Sequence, residues 1–143
     1  MGVFTRERLV RFSDCDPAGI VFFPQYFVMF NGLVEDWIED GLGIGYRKLI
    51  IGRRIGLPSV HIEADFKAIS SMGDRVALSL RLEKLGTRSM TLQLACHGAQ
   101  GDMRVTMRQV IVTTSLDLHR AVEIPPDLRA AIARFTESNQ GAN

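Results

Sequence analysis

Two carboxylates, Asp14 and Asp16, stand on a turn that runs through Pro17, Gly19, Ile20 and Val21 towards Pro24. A carboxylate can act as nucleophile or general base, and the unpaired N–H groups of a helix's first turn can stabilise negative charge on a carbonyl oxygen. Acyl transfer needs both, and this short stretch offers both. Pro17 fixes its own φ and biases Asp16 towards extended backbone, while Gly19 is free to take a positive φ. Pro24 suits a first helical turn, where its missing N–H would have no partner anyway. Phe23, at the expected cap, brings no side-chain acceptor, which leaves the donors around Phe23, Gln25 and Tyr26 to loop, water or ligand.

The same residues have plainer uses. Asp is common where strands end, and spacing alone does not choose between Asp14 and Asp16. Cys15 as a nucleophile would need a base and a lowered pKa, and it reads better as a small buried residue. A D-x-D pair without another placed acid is poor support for a metal, and His61, His97 and His119 show no ligand spacing. Phe22 and Phe23 could line an acyl pocket or staple the helix start.

Residues 3–12 read as a first strand. From Pro24, the apolar side chains Tyr26, Phe27, Phe30, Leu33, Val34, Trp37 and Ile38 recur at helical spacing and predict a long amphipathic helix closed by Gly41. A further helical turn is expected around 46–51. After Pro58 a period of two takes over: Val60, Ile62, Ala64 and Phe66, then Val76 to Leu82, then Met90 to Cys96, then Met103 to Met107. Turns at 86–88 and 98–102 predict two hairpins. Val110 and Val112 break the apolar phase, which predicts a bulge near Arg108 and Gln109. Asp127 opens a short helix over 128–135, and 136–143 reads as a frayed tail. A strand, a long helix and an antiparallel meander of about four strands make an α+β fold, with the sheet wrapped around the helix.

With 143 residues, 46% hydrophobic and 23% charged, the chain fits one domain, 1–143, with a core of ordinary size. Its net charge of +1 supplies no field for nucleic acid or anionic membrane. No apolar run is long enough to span a bilayer, and the N-terminus does not read as a signal peptide. Two distant cysteines give no disulfide framework, which makes a cytoplasmic setting the economical expectation.

The string from Ser13 to Tyr26, with its D-x-D-P-x-G-I-V core and following Pro and Tyr, resembles the signature of the 4-hydroxybenzoyl-CoA thioesterase family, which has the hotdog fold. The resemblance implies hydrolysis of an acyl-CoA or acyl-carrier-protein thioester without a cofactor beyond the substrate's own coenzyme A. It also implies a homodimer or homotetramer (a dimer of dimers) with sites at subunit interfaces, and it selects Asp16 as the catalytic carboxylate. Lys84 and Arg88 align with a basic stretch that holds coenzyme A phosphates, and Arg53 and Arg54 are further candidates. Asn31 stands where the family's acyl-reading acid would be, so a different acyl group is expected. A non-catalytic acyl-binding module on the same fold remains the alternative.

Overall fold

The computed structural model describes residues 2–138. Strand β1 (Val3–Leu9) leads through a 3₁₀ turn, Phe12–Asp14, and the 15–23 loop into helix α1 (Pro24–Asp36), whose last turn widens over Trp37–Gly41. A second helical turn at 46–52 follows. The chain continues through β2 (Ile55–Gly56), β3 (Ser59–Phe66), β4 (Arg75–Leu85), β5 (Ser89–His97), β6 (Met103–Val112), β7 (Thr114–Ser115), β8 (Arg120–Ala121) and α2 (Pro126–Ser138).

Helix α1 forms because its apolar side chains lie on one side: Tyr26, Met29, Phe30, Leu33 and Val34 are all buried, and Trp37 and Ile38 continue the stripe. They pack into one core with Leu78, Leu80, Leu92, Leu94, Val105 and Met107 from the inner face of the sheet. Burying each such side chain contributes about 1.5–3 kcal/mol, so the sheet holds the helix, and with it the loop at the helix entry. Helix α2 closes the open end of the core through Leu128, Ala131 and Ile132, and Phe135 meets Trp37 edge-on at 5.6 Å.

The five long strands form an antiparallel sheet in the order β1-β4-β5-β6-β3, and both predicted hairpins are present, β4–β5 and β5–β6. The arrangement is not a plain meander. Strand β3 crosses to the far edge and pairs with β6, not with its sequence neighbour β4. Its alternation is real, yet its apolar side is only partly covered: Ala64 packs against the core, while Val60 is 60%, Ile62 43% and Phe66 49% exposed.

The bulge expected near Arg108 and Gln109 is absent, because β5 and β6 keep register from Ser89–Val112 to Cys96–Val105. Gln109 faces inward in phase with Met107 and Ile111, buried and bonded through Nε2 to the Ser59 hydroxyl. Val110 and Val112 face the other way. The irregularity sits across the ladder, in β3 between Ser59 and His61. A small second sheet, β2-β7-β8, was not anticipated. The tail expected from Thr136 remains helical to Ser138, and its remainder lies outside the described residues.

Candidate active site

The 3₁₀ turn after β1 settles what the two acids do structurally. Asp14 is buried, with Oδ1 accepting from the Arg8 guanidinium at 2.8 Å and Oδ2 from the Arg11 N–H at 2.9 Å. Both oxygens are occupied, and the charge is held by a partner on β1. Asp16 is different: its Oδ1 accepts from the Ala18 N–H at 2.9 Å, and its other oxygen has no partner among the described residues.

The backbone builds a small hairpin around Asp16. Its N–H donates to the Ile20 carbonyl at 3.0 Å, the Gly19 N–H returns to the Asp16 carbonyl at 2.9 Å, and Cys15 pairs with Val21. Gly19 takes φ +79°, the positive φ such a turn requires, and Pro17 is exposed at its tip. The outgoing arm lies along residues 70–72, with the Val21 N–H on the Ser70 carbonyl and the Met72 N–H on the Gly19 carbonyl, both at 2.9 Å.

At the helix entry the Phe22 N–H donates to the Asp14 carbonyl at 2.9 Å, tying helix and acid loop together. Three amides here were candidate donors, and two are engaged. The Gln25 N–H donates to the Phe22 carbonyl at 2.8 Å and the Tyr26 N–H to the Phe23 carbonyl at 3.2 Å, a tight first turn. Pro24 has no N–H. The Phe23 amide therefore remains, without an acceptor among the described residues, and the Phe23 side chain supplies no cap.

Beside this amide lies an open cleft of about 290 Å³ lined by Val21, Phe23, Tyr26, Phe66, Lys67, Ala68 and Ile69. Phe66 organises it, with its ring edge-on to Phe23 at 6.0 Å and to Phe27 at 6.3 Å, and tilted against Tyr26 at 6.0 Å. Phe22 stacks edge-on against Phe23 and is itself about half exposed. Burial pushes the Tyr26 phenol upwards, so it stays a neutral wall. Phe66 was legible only as a strand residue, because its approach to the helix entry depends on β3 lying at the sheet edge. Asn31, on the exposed side of α1, does not line this cleft.

Cys15 is half-buried, with Sγ against the Arg11 carbonyl at 3.4 Å. Burial pushes its thiol upwards and the flanking Asp14 and Asp16 charges add to the effect, the reverse of nucleophile activation. Among the described residues no group of three or more His, Cys, Asp or Glu is placed to hold a metal.

Lys84 and Arg88 are exposed on the β4–β5 hairpin, and neither side chain forms an ion pair among the described residues. The Arg88 carbonyl anchors the turn by accepting from the Thr113 N–H at 2.9 Å. Arg53 and Arg54 are committed elsewhere, Arg53 through two bonds to Asp127 at 2.8 and 2.9 Å and Arg54 through one to Asp117 at 3.1 Å. That leaves the hairpin pair as the available cations of the four proposed from sequence.

Residues 10–132 match the family model described as the thioesterase-like superfamily. The 1,4-dihydroxy-2-naphthoyl-CoA hydrolase of Synechocystis is 35% identical over 82 residues, 57% of this chain and 59% of that protein. The 4-hydroxybenzoyl-CoA thioesterase of Pseudomonas is 28% identical over 131 residues, covering 86% of this chain and 92% of the relative. Among solved structures, a 1,4-dihydroxy-2-naphthoyl-CoA thioesterase from Synechocystis superposes with a TM-score of 0.84 at 26% identity, covering 92% of this chain and 96% of that one. With a matched span that runs from the end of β1 into α2 and includes the acid loop, the helix entry and the whole of β3 to β6, this chain belongs to the thioesterase-like superfamily.

Proposed function

We propose that this protein is an acyl-CoA thioesterase, cleaving a thioester to a carboxylic acid and free coenzyme A. One observation carries the reading: an acid loop that leaves one Asp16 oxygen unpartnered is bonded to a helix entry whose Phe23 amide lacks an acceptor among the described residues, next to an apolar cleft. The CoA thioesters on which the two named relatives act support it.

In this reading the acyl group enters the Phe66 cleft and the thioester oxygen takes the Phe23 N–H, with the start of α1 behind it. One such donor can lower the barrier by about 3 kcal/mol. Asp16 then attacks the carbonyl carbon to give a mixed anhydride, or takes a proton from an attacking water. In either route the carbon–sulfur bond breaks and the thiolate leaves and picks up a proton; in the first, water then cleaves the anhydride to release the acid and free Asp16, and in the second, the attacking water becomes part of the acid directly. No cofactor beyond the substrate's coenzyme A enters. Lys84 holds its phosphates as a point charge and Arg88 through the paired N–H groups of its guanidinium.

The acting unit is a homodimer or a dimer of such dimers. Support comes from β3, an edge strand with unpaired backbone groups and uncovered Val60, Ile62 and Phe66, which a second copy would extend and cover. Two free cysteines and a CoA substrate fit a cytoplasmic setting, and no described helix is long and apolar enough to cross a membrane. Thiol release across a panel of aromatic and aliphatic CoA and carrier-protein thioesters tests the reaction. Tight binding with no thiol release from any member would favour the non-catalytic acyl-binding module instead. Sedimentation tests the assembly, and an active monomer would contradict it.

A further inference from the structure

The segment 67–74 joins β3 to β4, and its composition, three small residues and a glycine among eight, gives it little reason to hold one shape. It nevertheless forms one wall of the cleft through Lys67, Ala68 and Ile69, and then carries the outgoing arm of the Asp16 loop on Ser70 and Met72. Its far end is tied to the residue after β1, with the Gly73 N–H on the Val10 carbonyl and the Val10 N–H on the Asp74 carbonyl, both at 2.8 Å, and its remaining bonds to the sheet converge on one residue at the start of β6. The Arg104 carbonyl accepts from the Lys67 and Ala68 amides at 2.8 and 3.1 Å. The Arg104 Nη1 donates to the Ile69 carbonyl at 2.8 Å and to Asp74 Oδ2 at 3.1 Å, with the Ser70 hydroxyl at 3.2 Å sharing one of its two hydrogens.

The guanidinium is itself oriented from behind, with Nε on Asp102 Oδ2 at 2.6 Å. Asp74 is fixed in turn by the Ser71 N–H at 2.9 Å. The Arg104 side chain is mostly buried and Ser70 wholly so, which makes these bonds costly to exchange for water. The guanidinium reaches Asp102 through Nε and the segment through Nη1 at once, whereas the single nitrogen of an ammonium cannot occupy both positions.

We propose that Arg104 is a positioning residue for the reaction: it holds segment 67–74 as a rigid rail on which Gly19 and Val21, and so the Asp16 carboxylate and the Phe23 amide, are set against the cleft. The chain of contacts is continuous, from Arg104 to Ser70, from the Ser70 carbonyl to the Val21 N–H, and from Val21 into Phe22 and Phe23. This inference rests on the assignment of Asp16 and Phe23 proposed above.

The test compares Arg104→Gln, Arg104→Lys, Arg104→Ala and Asp16→Asn in one thiol-release assay, alongside amide exchange on the intact proteins. A displacement of the loop by about 1 Å can cost about 10²-fold, so Arg104→Gln should lower kcat by about tenfold to hundredfold with KM little changed. Arg104→Lys should recover part of that loss. Added millimolar guanidinium should raise kcat of Arg104→Ala and not of wild type.

In Arg104→Gln the Val21 and Met72 amides should exchange faster while the β4–β5 ladder keeps its protection. Retained kcat in Arg104→Gln, or unchanged exchange at Val21 and Met72, would overturn the proposal. So would loss of protection throughout the sheet without guanidinium rescue, which marks a merely structural role. If Asp16→Asn is inactive while the Arg104 variants behave as wild type, only this inference fails; if Asp16→Asn is fully active, the site assignment fails with it.

Discussion

Asp14 and Asp16 are two residues apart and differ in what substitution should cost. In Asp14→Asn the side chain keeps its size and one acceptor but loses the charge that faces Arg8 at 2.8 Å, and its amide can no longer serve both Arg8 and the Arg11 N–H. A charged hydrogen bond of this kind contributes about 1.5–3 kcal/mol and a cap-type bond about 1 kcal/mol. The Arg8 side chain is 37% exposed and can recover part of its hydration, which lowers the total to about 2–3 kcal/mol. For a domain of this length that corresponds to a fall in Tm of roughly 6–10 °C.

The assay is a pair of measurements on one preparation, urea or thermal unfolding followed by thiol release well below the new midpoint. The expected result for Asp14→Asn is a lower midpoint with kcat close to wild type, because the Phe22 N–H still finds the Asp14 carbonyl and the loop retains its backbone bonds. Loss of turnover with an unchanged midpoint would refute the reasoning, since it would make Asp14 the chemical group and its bond to Arg8 incidental.

Replacing Lys84 and Arg88 together by alanine should raise KM for CoA esters by roughly twofold to thirtyfold, taking about 0.2–1 kcal/mol for each exposed charge contact, with kcat unchanged. The effect should shrink as salt is added, and an effect indifferent to salt would count against phosphate binding. Cys96, whose thiol burial pushes up to about 11, should resist alkylation at neutral pH until the protein is unfolded, while half-buried Cys15 reacts slowly; rapid native labelling of Cys96 would contradict the packing. Asp74 is held below its ordinary value of 3.8 by the Ser71 N–H and then by Arg104, and Asp102 below the same value by Arg104. Folded values below unfolded ones mean stability that is complete above 3.8 and lost as pH falls through the lower folded values. Amide protection at Val21 and Met72 should follow that course, and loss completed above 3.8 would exclude these two carboxylates as its source.

Local pattern made much of this molecule legible. Tyr26, Phe30, Leu33 and Trp37 announced α1 because a helix buried on one side must repeat every three or four residues, and 86–88 announced a hairpin because its partners are near in sequence. What alternation cannot reveal is the neighbour. Val60, Ile62 and Phe66 mark a strand face, yet nothing in them says that β3 pairs with β6, from Phe66 with Val105 to Ser59 with Ile111, or that much of the face stays open. Gln109 broke the apolar phase because a polar side chain can sit inward when Ser59 meets it, and a binary pattern reads that as a slip.

The acid motif was visible as a string, but its division of labour was not. Arg8 singles out Asp14 from another strand, and Pro24 with the tight turn at Phe22 and Phe23 leaves one amide where three were candidates. Arg104 was invisible for the same reason, since its side-chain acceptors on the 69–74 loop lie at least thirty residues away.

The most direct test of the account is the rate of thiol release by Asp16→Asn beside wild type, on whichever CoA thioester the wild-type protein cleaves fastest. Asparagine keeps the oxygen that accepts from the Ala18 N–H, so the loop and the Tm should be preserved. The variant's kcat should fall by at least about 10²-fold, the scale on which general bases and nucleophiles act. Hydrolysis at the wild-type rate by a correctly folded Asp16→Asn protein would contradict the account.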